Sequence, residues 1–235
     1  MLHHTKGIVL RTTPYSESSV VVLVYTEKFG RQTYIINGVR SARSKGKSAL
    51  YQHGNLLDMV VYHKETGDIF RVSEASIAHA YTLAPFDIVR SSIMLFLVEL
   101  MTRAISETEA NEELFRFCWQ AFLQLDRPGG QLSLYPHRYM LIMSRYLGFE
   151  PHSGPGHFFD MLEGHFSDSI PRHTHYMEAE LSSAFRSLLS DDTQFRPTAN
   201  TRRSLLHYLI IYYQLHLSGF GKMHSPDILE EVLRD

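Results

Sequence analysis

Between Lys28 and Leu57 the chain carries Lys28, Arg31, Arg40, Arg43, Lys45 and Lys47 and no aspartate or glutamate. Ammonium and guanidinium groups in such a run bind phosphate oxygens, and the charge is not neutralised locally. Aromatic side chains are interleaved with them. Tyr34, with Phe29 and Tyr51, is a candidate to stack on bases. The competing reading is that strand aromatics at alternating positions belong to a core.

A second set of reactive side chains is His152, His157, His165, His173 and His175, with Asp160, Glu163 and Asp168, in the irregular stretch 150–176. Imidazole and carboxylate are zinc ligands, but no spacing here follows a zinc pattern such as HExxH. Gly46-Lys47-Ser48 has the ending of a phosphate-binding P-loop, yet Ser41 stands where that pattern needs glycine. There is no GxSxG, and the single cysteine, Cys118, lies in an apolar helical pattern beside Trp119. No catalytic constellation, metal or cofactor is therefore expected, and a binding protein is favoured over an enzyme.

The elements that must position these groups change character along the chain. Up to about residue 80 the apolar runs are short and rich in Val, Ile, Tyr and Thr, predicting strands over Gly7 to Thr13, Ser19 to Thr26, Gln32 to Ile36, Leu56 to His63 and Ile69 to Ser73. Five antiparallel strands avoid open edges by closing, and the oligonucleotide-binding (OB) barrel is the common five-stranded solution. After Tyr81 the apolar period approaches four. Helices are expected from Ile88 to Ala104, Glu112 to Leu125, Leu132 to Leu147, Ala179 to Leu189, Thr198 to Ser218 and Ile228 to Leu233. The expected fold is α+β: an OB barrel over 1–80 and an all-α domain over 81–235 with a histidine-containing insertion at 150–176.

Charge follows the same division. Residues 1–80 carry ten Lys and Arg against six acids, a net +4, while the remainder is net −6. The whole-chain charge of −2 hides this asymmetry. The start MLHHTKG lacks the apolar core of a signal peptide, and the most hydrophobic stretch, from Ile88 to Ile105, is interrupted by Arg90, Glu99 and Arg103. No membrane association is expected, and the protein is read as cytosolic.

Several of these segments resemble the bacterial RecO family of DNA repair proteins. The likeness runs through Gly7-Ile8-Val9-Leu10, Pro14-Tyr15-Ser16-Glu17-Ser18, Val22 to Thr26, Gly30, Gly38-Val39-Arg40 and Ser48. It resumes at Arg138-Tyr139 and Leu147-Gly148-Phe149-Glu150-Pro151. The resemblance implies a cytoplasmic, nucleoid-associated recombination mediator that binds single- and double-stranded DNA and anneals complementary strands. With RecR, such a mediator loads RecA onto strands covered by single-strand-binding protein, whose acidic C-terminal tail docks on the helical part. Some members carry a cysteine zinc finger after the third helix; this chain has no cysteines there. On this reading Lys28, Arg31, Tyr34, Arg40, Arg43, Lys45 and Lys47 face DNA, and Arg202 and Arg203 are candidates for the partner tail. Two rivals remain: a metal-dependent hydrolase using the 152–175 histidines, and a protein-only adaptor whose basic loop binds acidic peptides.

Overall fold

The computed structural model describes residues 1–39, 47–64 and 67–233. It falls into two compact units, Met1–Pro128 and Gly129–Asp235.

The first unit is built on a closed barrel of β1 (Leu2–Pro14), β2 (Val20–Thr26), β3 (Gly30–Ile36), β4 (Leu56–Tyr62) and β5 (Phe70–Ile77), in the order β1-β2-β3-β5-β4. Strand β1 closes it by serving two neighbours: Leu2–Ile8 pairs with β4 and Gly7–Pro14 with β2, with a register shift between Val9 and Arg11 that bends the strand. It begins five residues earlier than expected. His3, His4 and Lys6 gave no apolar signal, but pairing satisfies their backbone whatever the side chains are. The one parallel pair, β3 with β5, is short, and the four-residue helix α1 (Lys47–Leu50) lies in the connection from β3 to β4. Val22, Val24, Tyr34, Ile36, Leu57, Met59, Val61 and Phe70 fill the interior.

Two helices complete this unit, α2 (Ile88–Ala104) and α3 (Glu112–Leu125). Asp87 caps the first by accepting from the Arg90 N–H, and Asn111 caps the second by accepting from the Leu114 N–H at 3.0 Å. On α2, Ser92, Met94 and Val98 are buried along with Ile93, Phe96, Leu97, Leu100 and Met101, more than one helical stripe, because the barrel and α3 both pack on it; Ile88, in its first turn, is exposed.

Asp126 fastens the end of α3. Its carboxylate accepts from the backbone N–H groups of Thr82, Leu83 and Ala84 and pairs with His79 at 2.9 Å. Burial raises its pKa, but these donors outweigh burial and hold the group well below the usual carboxylate range.

The second unit contains α4 (Tyr135–Tyr146), α5 (Ala179–Leu189), α6 (Ala199–His216) and α7 (Ser225–Val232), with a small sheet of β6 (Phe158–Asp160), β7 (His165–Ser167) and β8 (Tyr176–Met177) in the order β7-β6-β8. Residues 132–134 form a 3₁₀ turn ahead of α4, whose first turn holds Pro136. Gly148 ends α4 at φ +83°, with the Phe149 N–H donating back to the Ser144 carbonyl. The sheet was not expected. Its strands are two or three residues long, too short for periodicity to register, and Phe159 at its centre packs on Phe166 and Phe185.

Candidate nucleic-acid interface

Of the acid-free cations, the three among the described residues, Lys28, Arg31 and Lys47, stand apart from one another. Lys28 is exposed in the turn joining β2 to β3, beside a cleft of about 560 Å³ that also holds Lys6, Glu27, Asp58 and Glu74. Lys47 lies beyond the far end of β3, on α1. Arg40, Arg43 and Lys45 fall outside the described residues.

Arg31 is half-buried and turned toward α2, where its guanidinium donates to the Thr102 carbonyl at 3.3 Å. Its own backbone N–H donates to Glu107 at 2.9 Å. Burial, then the neighbouring Arg11 charge, lowers its pKa. The connection 105–111 thus covers this end of the barrel's outer face. Tyr25 points there as well, packing on Phe115. Gly30 lets the two backbones meet: its φ is +60°, and a Cβ would collide with the Glu109 carbonyl.

Tyr34 requires a correction. It is 0% exposed, its ring tilts against Phe70 inside the barrel, and burial pushes the phenol pKa above its ordinary value. It cannot stack on a base from there. The parity of β3 carries the reason: successive side chains alternate faces, so an outward Arg31 forces Tyr34, three residues on, inward with Gln32 and Ile36. Tyr51 is a core residue too, and Phe29, half-buried, stacks on His63 at 3.9 Å between ring centroids.

A different arrangement stands at the far end of β3. A cleft of about 530 Å³ is lined by Ile35, Asn37, Lys47, Arg71, Ser73 and Glu74, among others. Among the described residues neither Lys47 nor Arg71 forms an ion pair. Arg71 was passed over in the sequence because it stands alone on β5, outside the acid-free run.

Arg202 is a structural latch. Its guanidinium donates to the carbonyls of Pro197 at 3.3 Å and Leu233 at 3.0 Å, and its own carbonyl accepts from the His137 ring at 2.8 Å. Arg203 pairs with Glu230 at 3.2 Å nearer the surface.

Among the described residues no three of His, Cys, Asp and Glu stand together as a metal-holding group. His173 donates to Asp160 at 3.1 Å, whose other oxygen accepts from the Leu162 and Glu163 N–H groups, and His152, His157, His165 and His175 are exposed. These contacts fold the 150–176 segment. No helix among the described residues is long and apolar enough to cross a membrane.

A closed five-stranded barrel of this strand order, with its single parallel seam and a helix between the third and fourth strands, defines an OB-like protein, here followed by helices. The family models described as "Recombination protein O N terminal" and "Recombination protein O C terminal" match residues 1–81 and 85–226. The chain belongs to this family, RecO. It is similar to proteins named DNA repair protein RecO from Christiangramia forsetii (30% identity, 99% of each chain) and Phocaeicola vulgatus (30%, 99% of each). It is likewise similar to the one from Flavobacterium psychrophilum (33%, covering 97% of this chain and 98% of the relative).

Proposed function

We propose that this protein is a DNA-binding recombination mediator in which the barrel, residues 1–80, holds single- and double-stranded DNA. The helical part, 81–235, serves partners. The observation that carries this is the acid-free cationic run on an OB-like barrel, in a chain whose relatives are named for DNA repair. Lys28, Arg40, Arg43, Lys45 and Lys47 act on phosphates, which makes affinity independent of sequence and sensitive to salt, whereas Arg31 is committed to the Thr102 carbonyl. A cationic surface that reduces repulsion between two backbones supports annealing without an acid or base catalyst, so no enzymatic step is assigned.

On this reading the protein works with RecR to load RecA onto strands covered by single-strand-binding protein, in the bacterial cytoplasm at the nucleoid. Arg203 is the better candidate for the acidic tail of single-strand-binding protein, since an incoming carboxylate can replace its surface partner Glu230, whereas Arg202 is committed to the fold.

The test is a titration of an oligonucleotide at several salt concentrations. Neutralising Arg40, Arg43, Lys45 and Lys47 together flattens the salt dependence by up to about 0.7 log units per contact on a single strand. An unchanged affinity and slope in that variant removes the assignment. Binding of an acidic peptide but not of DNA would favour the adaptor reading.

A further inference from the structure

Strand register places Thr13 opposite Val21, Val21 opposite Ile35, and Ile35 opposite Arg71. Val21, Ile35 and Arg71 lie on the barrel's outer face, since their sequence neighbours Val20, Val22, Tyr34, Ile36 and Phe70 point into the core, and Thr13, exposed, shares that face through its pairing with Val21. They form one row across β1, β2, β3 and β5, and three strand spacings make it about 14 Å long. The connection 105–111 covers the other end of β3 and leaves this row uncovered by it.

Each end of the row carries a group suited to a nucleic acid. Beyond Arg71 lies the cleft with Lys47, and neither cation is paired among the described residues. Two residues beyond Thr13 stands Tyr15, 66% exposed in the turn between β1 and β2. Its backbone is fixed. The Tyr15 and Ser16 N–H groups donate to the Ser19 carbonyl at 3.0 and 3.2 Å, the Ser19 hydroxyl donates to Asn37, and the Val39 N–H donates to Ser18 at 2.9 Å. An exposed ring on an immobilised turn loses little entropy when a base stacks on it.

We propose that a single strand of DNA crosses this row, with a base stacked on Tyr15, the aliphatic groups of Val21 and Ile35 beneath the next bases, and phosphates at Arg71 and Lys47. The proposal rests on the DNA-binding reading and assigns to it a stacking residue and a cation outside the acid-free run. Glu74, at the rim of the cleft, disfavours phosphate beyond Arg71 and sets that end of the path.

The experiment uses the full chain and a single-stranded oligothymidine carrying one 2-aminopurine, read by anisotropy and by 2-aminopurine quenching. Tyr15→Ala lowers affinity by about five- to a hundred-fold and abolishes the quenching, while Tyr15→Phe keeps both. Arg71→Gln lowers affinity and reduces the salt slope by about 0.7. Equal melting temperatures certify that each variant is folded. If Tyr15→Ala retains wild-type affinity and quenching, the proposed path is wrong although DNA binding stands. If the wild-type protein binds no oligonucleotide at low salt, or binds only an acidic peptide, the path and the DNA-binding reading both fall.

Discussion

His137 makes the second unit acid-sensitive by an amount the structure specifies. It is 2% exposed on α4; one ring nitrogen donates to the Arg202 carbonyl on α6 at 2.8 Å, so the other, Nδ1, is the unprotonated one. Among the described residues Nδ1 has no hydrogen-bond partner. A proton there would be a buried charge without an acceptor. Burial, reinforced by the Arg202 charge and opposed only by the bond to its carbonyl, pushes the pKa from 6.5 down to about 4. A histidine whose pKa is lowered on folding binds its proton first in the unfolded chain. Its contribution is therefore intact above 6.5 and is lost as pH falls toward 4.

Each unit of pKa difference is worth about 1.4 kcal/mol, so between pH 7.5 and pH 5 this one group removes about 2 kcal/mol. That is roughly thirty-fold in amide protection if α4 and α6 open together. Hydrogen exchange on peptides from Tyr135–Tyr146 and Ala199–His216, corrected for intrinsic rates, reads it directly. His137→Gln keeps a donor for the Arg202 carbonyl and cannot titrate, so its protection changes about thirty-fold less across the same interval. Equal losses in wild type and variant would refute the reasoning, because the acid sensitivity would then belong to other groups.

Asp126→Asn leaves donors facing an amide, and it costs the first unit at least about 3 kcal/mol in urea denaturation followed by Trp119 fluorescence. Because the Asp126 pKa is depressed, its contribution is present above the ordinary value of 3.8 and lost below it; the variant lacks that part of the acid limb. Gly30→Ala meets both a φ of +60° and the Glu109 carbonyl and lowers stability by about 2–4 kcal/mol, whereas Gly38→Ala, at φ +71° with open space around it, costs about 1 kcal/mol in thermal melting.

The barrel was legible because its interior strands are short, β-branched and bounded by turns, and α3 because Phe115, Cys118, Trp119 and Phe122 recur at helical spacing. What escaped followed from pairing rather than composition. The start of β1 is polar and becomes a strand only because β4 lies beside it. The sheet β7-β6-β8 depends on single contacts of Phe159. In the candidate interface, charge counting found the run from Lys28 to Lys47, but only a register relates Arg71 on β5 to Ile35 on β3. Tyr34 was misplaced because an aromatic between cations suggests a platform, while alternation from Arg31 already turned it inward.

The parallel seam has a thermodynamic consequence of its own. Strands β2 and β3 share seven residue pairs, whereas β3 and β5 share two, Tyr34 with Phe70 and Ile35 with Arg71. The barrel is therefore most easily breached along this line, and local opening there requires the fewest ladder bonds to break. A polyanion held from β3 across to Arg71 bridges both sides of the breach. Under the proposed path its binding free energy would add to closure by mass action, so the ligand would also set how often the barrel gapes.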